Sequence, residues 1–133
     1  MKSTALSALA VLSVLAMSGG AARAQMPAGD AAKGEQVFRK CVACHAIEEG
    51  KHKVGPSLHG VVGRAAGSTD FARYVGLKGA DFSWTEENLF EYLNDPTAFV
   101  KSHTDNPRSG MAYKLPGAQD RADVIAYLKS VGN

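Results

Sequence analysis

From Cys41 to Asp81 the chain shows no sustained hydrophobic period, and glycine recurs at Gly50, Gly55, Gly60, Gly63, Gly67, Gly76 and Gly79. That composition reads as loop and turn. Structureless connections beyond about 12–15 residues are uncommon in a compact domain, because their backbone and side chains need something to pack on. This stretch is far longer. It is compatible with a folded domain only if it wraps around a bound group.

The flanks are helical. Asp30 to Lys40 reads as a helix capped by Asp30, with Val37 and Phe38 turned inward. Gly34 lowers its propensity, and a close helix–helix approach accounts for it. Ser83-Trp84-Thr85-Glu86 has the spacing of a capping box, with Ser83 as cap, and opens a helix through Leu89, Phe90, Tyr92 and Leu93 to Asn94. Asp95-Pro96 starts a further short helix through Phe99 and Val100, Asp capping and Pro in the first turn. His103 to Gly110 is a polar connector. Gly117 to Val131 is the last helix, with Ala122, Val124, Ile125, Tyr127, Leu128 and Val131 recurring at helical spacing. No strand pattern stands out, so the fold class is all-α.

Residues 1–24 stand apart from this pattern. Met1-Lys2 is a short positive head, Ala5 to Met17 is nearly all apolar, and Ala22-Arg23-Ala24 is a small-x-small site. This is the organisation of a secretory signal peptide cut before Gln25; the apolar run falls short of the about 20 residues a membrane span needs. Residues 25–133 then form one domain, in an exported and hence periplasmic protein. Lys2 and Arg23 leave with the signal, so of 15 basic residues 13 remain against 13 acidic ones. Net charge therefore steers nothing, and any charge-guided docking rests on where charges sit. No nucleic-acid partner and no membrane insertion are expected, and the protein is expected to be a monomer.

Cys41 and Cys44 are the only cysteines. A disulfide between them would close a tiny loop and stabilise little. With the following residue they form Cys41-Val42-Ala43-Cys44-His45, the C-x-x-C-H arrangement of c-type haem attachment. Two thiols at this spacing can each add to one porphyrin vinyl group, and His45 then falls beneath the iron. Other readings exist. A thioredoxin-like pair wants a preceding strand, where a helix is expected here; a zinc site needs further ligands, and His52, His59 and His103 are not suitably spaced.

Without the signal, two methionines remain, Met26 near the new terminus and Met111 in Ser109-Gly110-Met111-Ala112-Tyr113. Methionine is usually a filler of core gaps, but this one lies on a polar, glycine-containing loop. Opposite a histidine, a thioether raises the potential of haem iron, and with both axial positions filled no substrate or oxygen binds.

The sequence resembles class I c-type cytochromes, most of all the bacterial cytochrome c2 type, over essentially all of residues 25–133. The resemblance rests on Cys41–His45, on Gly55-Pro56-Ser57-Leu58-His59-Gly60-Val61-Val62-Gly63-Arg64, on Trp84-Thr85-Glu86-Glu87 with Tyr92-Leu93, on Met111-Ala112-Tyr113-Lys114-Leu115, and on Ile125-Ala126-Tyr127-Leu128. It implies a small fold of four or five helices with long loops around one covalently bound haem c, held by Cys41 and Cys44. His45 and Met111 are the implied axial ligands. Pro56 would offer its carbonyl to the other nitrogen of His45, fixing its tautomer. Arg64, Tyr74 and Trp84 would hydrogen-bond the haem propionates, Tyr92 would reach the Met111 sulfur, and Ser109 stands where a threonine usually sits. Gly34, Phe38 and Tyr127 match the contact between first and last helices. Two stretches depart: the one between Pro96 and Met111 is longer than in mitochondrial members, and the one between Gly67 and Phe82 varies.

The implied function is one-electron transport without substrate turnover, between a cytochrome bc complex and a terminal oxidase or photosynthetic reaction centre. Docking would use a basic haem-edge surface including Lys40, Lys53 and Lys114, with Lys101 and Arg108 nearby. Rival readings are a haem enzyme or gas sensor with an open sixth position, a low-potential carrier with His59 or His103 as sixth ligand, and a non-redox zinc or disulfide module.

Overall fold

In a computed structural model, the structure describes residues 25–106 and 108–132. The expected signal peptide, residues 1–24, lies outside the described residues. Among the described residues there are four helices, α1 (Ala31–Phe38), α2 (Glu86–Asn94), α3 (Pro96–His103) and α4 (Ala118–Val131). The sole β feature among them is an isolated antiparallel bridge between Ala65 and Ser83. None of these helices is long and apolar enough to cross a membrane.

Local chemistry sets most helix ends. Asp30 caps α1, its carboxylate accepting from the N–H groups of Ala32 and Lys33. Asp95 caps α3 through the N–H of Ala98, with Pro96 in the first turn, where its missing N–H costs no hydrogen bond. The cap of α2 is a correction: it is Thr85, whose hydroxyl accepts from Asn88 N–H at 3.1 Å. Ser83 is held in extended backbone by its bridge to Ala65, and Trp84 exchanges backbone hydrogen bonds with Gly63 and Arg64. The helix therefore cannot begin until Trp84 is past.

α1 and α4 cross closely, with α2 also against α4 and α3 against α2. Gly34 makes the crossing, since a Cβ there would lie 1.9 Å from the Asp123 carbonyl oxygen. Gly29, just before α1, permits a second close approach, where a Cβ would lie 2.2 Å from the carbonyl oxygen of Ala122. Phe38 packs on Tyr127 with ring centroids 5.4 Å apart. Asp123 is buried in this contact and accepts from Asp30 N–H and from the Gln119 amide, both at 2.8 Å. A second cluster joins Phe82, Trp84, Tyr92 and Phe99, mostly edge to face, the geometry aromatic quadrupoles favour. The long loop segment passes close to Arg108 at Gly76, whose φ of +84° favours glycine and where a Cβ would meet the Arg108 carbonyl oxygen at 2.2 Å.

Candidate functional site

The Cys41–His45 segment leaves the end of α1 as one tight turn. Cys41 N–H donates to Phe38 O, and the N–H groups of Cys44 and His45 both donate to Cys41 O. Cys41 is half-buried and Cys44 exposed. Burial pushes the Cys41 thiol up, against the opposing pull of Lys40.

The next loop holds the imidazole. Gly55 N–H donates to Cys44 O at 2.8 Å, which brings Pro56 alongside His45. The Nδ1–H of His45 donates to the Pro56 carbonyl at 2.7 Å. A carbonyl only accepts, so this bond assigns the proton to Nδ1 and leaves the Nε2 lone pair free. Burial holds the ring below its ordinary pKa, with the Pro56 bond opposing and Lys53 adding to the depression, and the net direction favours the neutral ring. Gly55 is required for contact: a Cβ would sit 2.3 Å from His45 Cε1.

His45 opens onto a mainly apolar cavity, which Met111 also lines. Pro56, Arg64, Tyr74, Trp84 and Tyr92 border it too, between Leu58, Val61, Leu89, Leu93 and Leu128. Seven of the residues expected around the bound group thus meet at one cavity, although they are spread from His45 to Met111 in sequence. Ser109 stands just behind Met111, accepting its N–H at 3.1 Å and lying 3.3 Å from the Tyr92 hydroxyl. Burial raises the Tyr92 phenol, and its contact with Ser109 opposes that shift.

The residues fit a haem. Arg64 spends its Nη atoms on the carbonyls of His59 and Ser57, at 2.7 and 3.0 Å, while its buried Nε has no partner. An unpaired cationic donor beside an apolar cavity is what a carboxylate-bearing apolar ligand requires. Burial lowers the pKa of this guanidinium, with Tyr74 opposing. The Tyr74 hydroxyl pairs with Thr69 Oγ1 at 2.6 Å at the same wall.

The other histidines are elsewhere. His59 Nδ1–H donates to Ile47 O, His52 pairs with Asp70 at 2.5 Å, and His103 stacks on Phe99 at 3.8 Å; none lines the cavity. No group of three or more potential His, Cys, Asp or Glu metal ligands occurs among the described residues.

Around the Cys41–His45 and Met111 segments the charges are partly engaged within the chain. Lys40 is 3.1 Å from Asp120, Lys114 is 2.6 Å from Asp95, and Lys53 donates to the Val42 carbonyl. Lys101 and Arg108 are exposed. Of the large apolar side chains exposed among the described residues, Val42 lies in the Cys41–His45 segment, Tyr113 lies two residues from Met111, the Val75 carbonyl accepts from Gly110 N–H, and Val54 precedes Gly55, whose N–H donates to Cys44 O. One residue escaped sequence reading. Arg121, buried in α4, donates to Asn94, Leu115 and Pro116 at the base of the Met111 loop. Its signal was its position four residues before Ile125 and seven before Leu128, a cation on the apolar stripe.

The family model for cytochrome c matches residues 31–132. The chain is 47% identical to cytochrome c2 iso-1 of Rhodospirillum centenum over 118 residues, covering 79% of this chain and 98% of that protein. It is 46% identical to cytochrome c2 of Rhodobacter capsulatus, over 78% of this chain and 84% of that one. Among solved structures, cytochrome c2 from Rhodospirillum centenum aligns with a TM-score of 0.72 at 41% identity, over 79% of this chain and all of that one. Cytochrome c2 from Paracoccus denitrificans aligns at 0.70 and 38%, covering 78% and 97%.

Proposed function

Since this chain belongs to the cytochrome c family of haem c electron carriers, we propose that it carries one electron at a time with His45 and Met111 as the two axial ligands of its iron. Cys41 and Cys44 would hold the haem covalently, and Arg64, Tyr74 and Trp84 would face its propionates. When bound, the haem supplies a ferric/ferrous couple. The chain's own residues do the rest. Pro56 keeps the His45 proton on Nδ1, so Nε2 remains a lone-pair donor. Ser109 holds the Met111 backbone at the cavity. The aliphatic walls exclude water, which favours the less charged iron state. With His45 and Met111 both holding the iron, no site would be left for a substrate, and the protein would turn nothing over.

The observation that carries this reading is the pairing of a His45 imidazole, tautomer set by Pro56, with a cavity that Met111 also lines. The donor and acceptor fitting this role are a cytochrome bc complex and a terminal oxidase or photosynthetic reaction centre, met in the periplasm after removal of residues 1–24. N-terminal sequencing of the exported protein should then begin at Gln25, and an intact Met1 would contradict export with cleavage.

The direct test is the visible spectrum and redox titration of the haem-loaded protein and its Met111→Ala variant. The ferric wild type should show the far-red sulfur-to-iron absorption band. The variant should lack it and titrate at lower potential. Carbon monoxide binding to the native ferrous wild type would overturn the assignment by revealing an open sixth position.

A further inference from the structure

Arg121 lies in the first turn of α4, is only 7% exposed, and has no carboxylate among its hydrogen-bond partners. Its Nη1 donates to the carbonyls of Leu115 and Pro116 at 2.9 and 2.7 Å, and to the Asn94 side-chain oxygen at 3.1 Å. The guanidinium carbon sits 4.3 Å from the centroid of the Phe90 ring. Burying a cation without a counter-ion is costly, and an apolar residue of similar volume would fill the space without that cost. Beyond the Asn94 bond and the contact with Phe90, what the guanidinium provides is donors for the two carbonyls.

Those carbonyls belong to the root of the Met111 loop. Leu115 is held twice, because its own N–H donates to Leu93 O at 2.8 Å while Arg121 takes its carbonyl. At the other end, Gly110 N–H donates to Val75 O at 3.1 Å. Met111 is thus on a short span between two fixed points, one of which is Arg121. Arg121 itself does not line the cavity.

We propose that Arg121 is a positioning residue for Met111: it clamps the C-terminal root of the loop to α2 and α4, and so sets how often the thioether leaves the cavity. This rests on Met111 being the sixth ligand. Without the clamp, the loop opens locally while the α1–α4 core stays folded, and the sixth position becomes accessible to an added ligand.

The test uses the haem-loaded protein, the variants Arg121→Met, Arg121→Lys and Asn94→Ala, imidazole as probe for the ferric iron, and amide hydrogen exchange at Leu115 and Ile125. Hydrogen bonds from a charged donor are among the stronger ones, so Arg121→Met should bind imidazole at least about ten-fold more tightly. Leu115 should exchange faster by a similar factor while Ile125, in the middle of α4, changes less. Arg121→Lys, which keeps a donor, should fall between wild type and Arg121→Met. Asn94→Ala removes only the α2 partner and should change imidazole affinity by less than about three-fold. Wild-type imidazole affinity in Arg121→Met, or equal acceleration at Leu115 and Ile125, would overturn the clamp. Should Arg121→Met fail to fold, Arg121→Lys and the wild type still decide: a wild-type Leu115 amide exchanging about a thousand-fold faster than Ile125 means that nothing holds the loop root. Failure of the Met111 assignment shows separately, as a missing sulfur-to-iron band in the wild type, and the amide comparison is read regardless.

Discussion

The Nδ1–H of His45 and the carbonyl of Pro56 are 2.7 Å apart, joining two segments eleven residues apart and leaving a single ring nitrogen for coordination. The bond exists because Gly55 passes the ring with no side chain of its own, its backbone N–H being used on Cys44 O.

Gly55→Ala tests that arrangement. The new methyl would fall 2.3 Å from His45 Cε1, far inside contact distance, so the ring or the loop must move. Overpacking of this kind costs about 1–3 kcal/mol. The urea midpoint of the haem-loaded protein should drop accordingly, and the yield of protein with a normal haem spectrum should fall. A variant matching wild type in both would mean that the loop yields freely and that the Pro56 contact is incidental.

Asp95 is placed to give an acid-sensitive contribution to stability. Its pKa is lowered mainly by Lys114, whose ammonium is 2.6 Å away, and further by the N–H of Ala98. A carboxyl whose folded pKa lies below its unfolded one stabilises the fold above the ordinary carboxylate pKa, about 4. That contribution disappears as pH falls through the lower, folded value. Asparagine caps helices about as well as aspartate but cannot pair with Lys114. Asp95→Asn should therefore flatten the loss of stability below about pH 4 while keeping α3 helical. Glu48 and Asp70, lowered in the same direction by Lys51 and His52, and Glu87, lowered by its own backbone N–H and by Thr85, keep their share of the slope. Urea midpoints at pH 7 and pH 3 decide it, and an unaltered difference between them would show that the pair carries no linkage.

The pairing of Lys40 with Asp120 bears on docking. An internal ion pair contributes little to the long-range field, so steering by Lys40 is weaker than its exposure implies. Asp120→Asn should release it. Association with an acidic redox partner should then speed up at low salt and fall more steeply with ionic strength. Asp120 also lies in the first turn of α4, where a negative charge favours the helix, so the same change should cost about 0.3–1 kcal/mol of stability. A second-order rate constant unmoved at every salt concentration would place the docking surface away from Lys40.

Much of the architecture follows from short-range pattern. Asp30 and Asp95-Pro96 start their helices as expected, because a side-chain oxygen two or three residues from a free N–H needs no tertiary help. The helical spacing of the apolar residues in α4 is likewise local, whereas the close approach that Gly34 permits is made to the Asp123 carbonyl on the other helix. The start of α2 shows the limit. Ser83 and Thr85 compete for the same helix on equal local terms, and the winner is set by Ala65, eighteen residues before Ser83.

By itself the sequence determined that two thiols and an imidazole stand on one turn, that a thioether sits on a distant loop, and that the segment between needs a partner to fold around. Those are matters of covalent spacing and residue chemistry. Only the tertiary structure decided that His45 and Met111 share a cavity that His59 and His103 do not line, and that a buried Arg121 grips the loop between them and the last helix. Contacts across such separations depend on how helices cross and where loops close, and loop closure leaves no periodic mark along a chain.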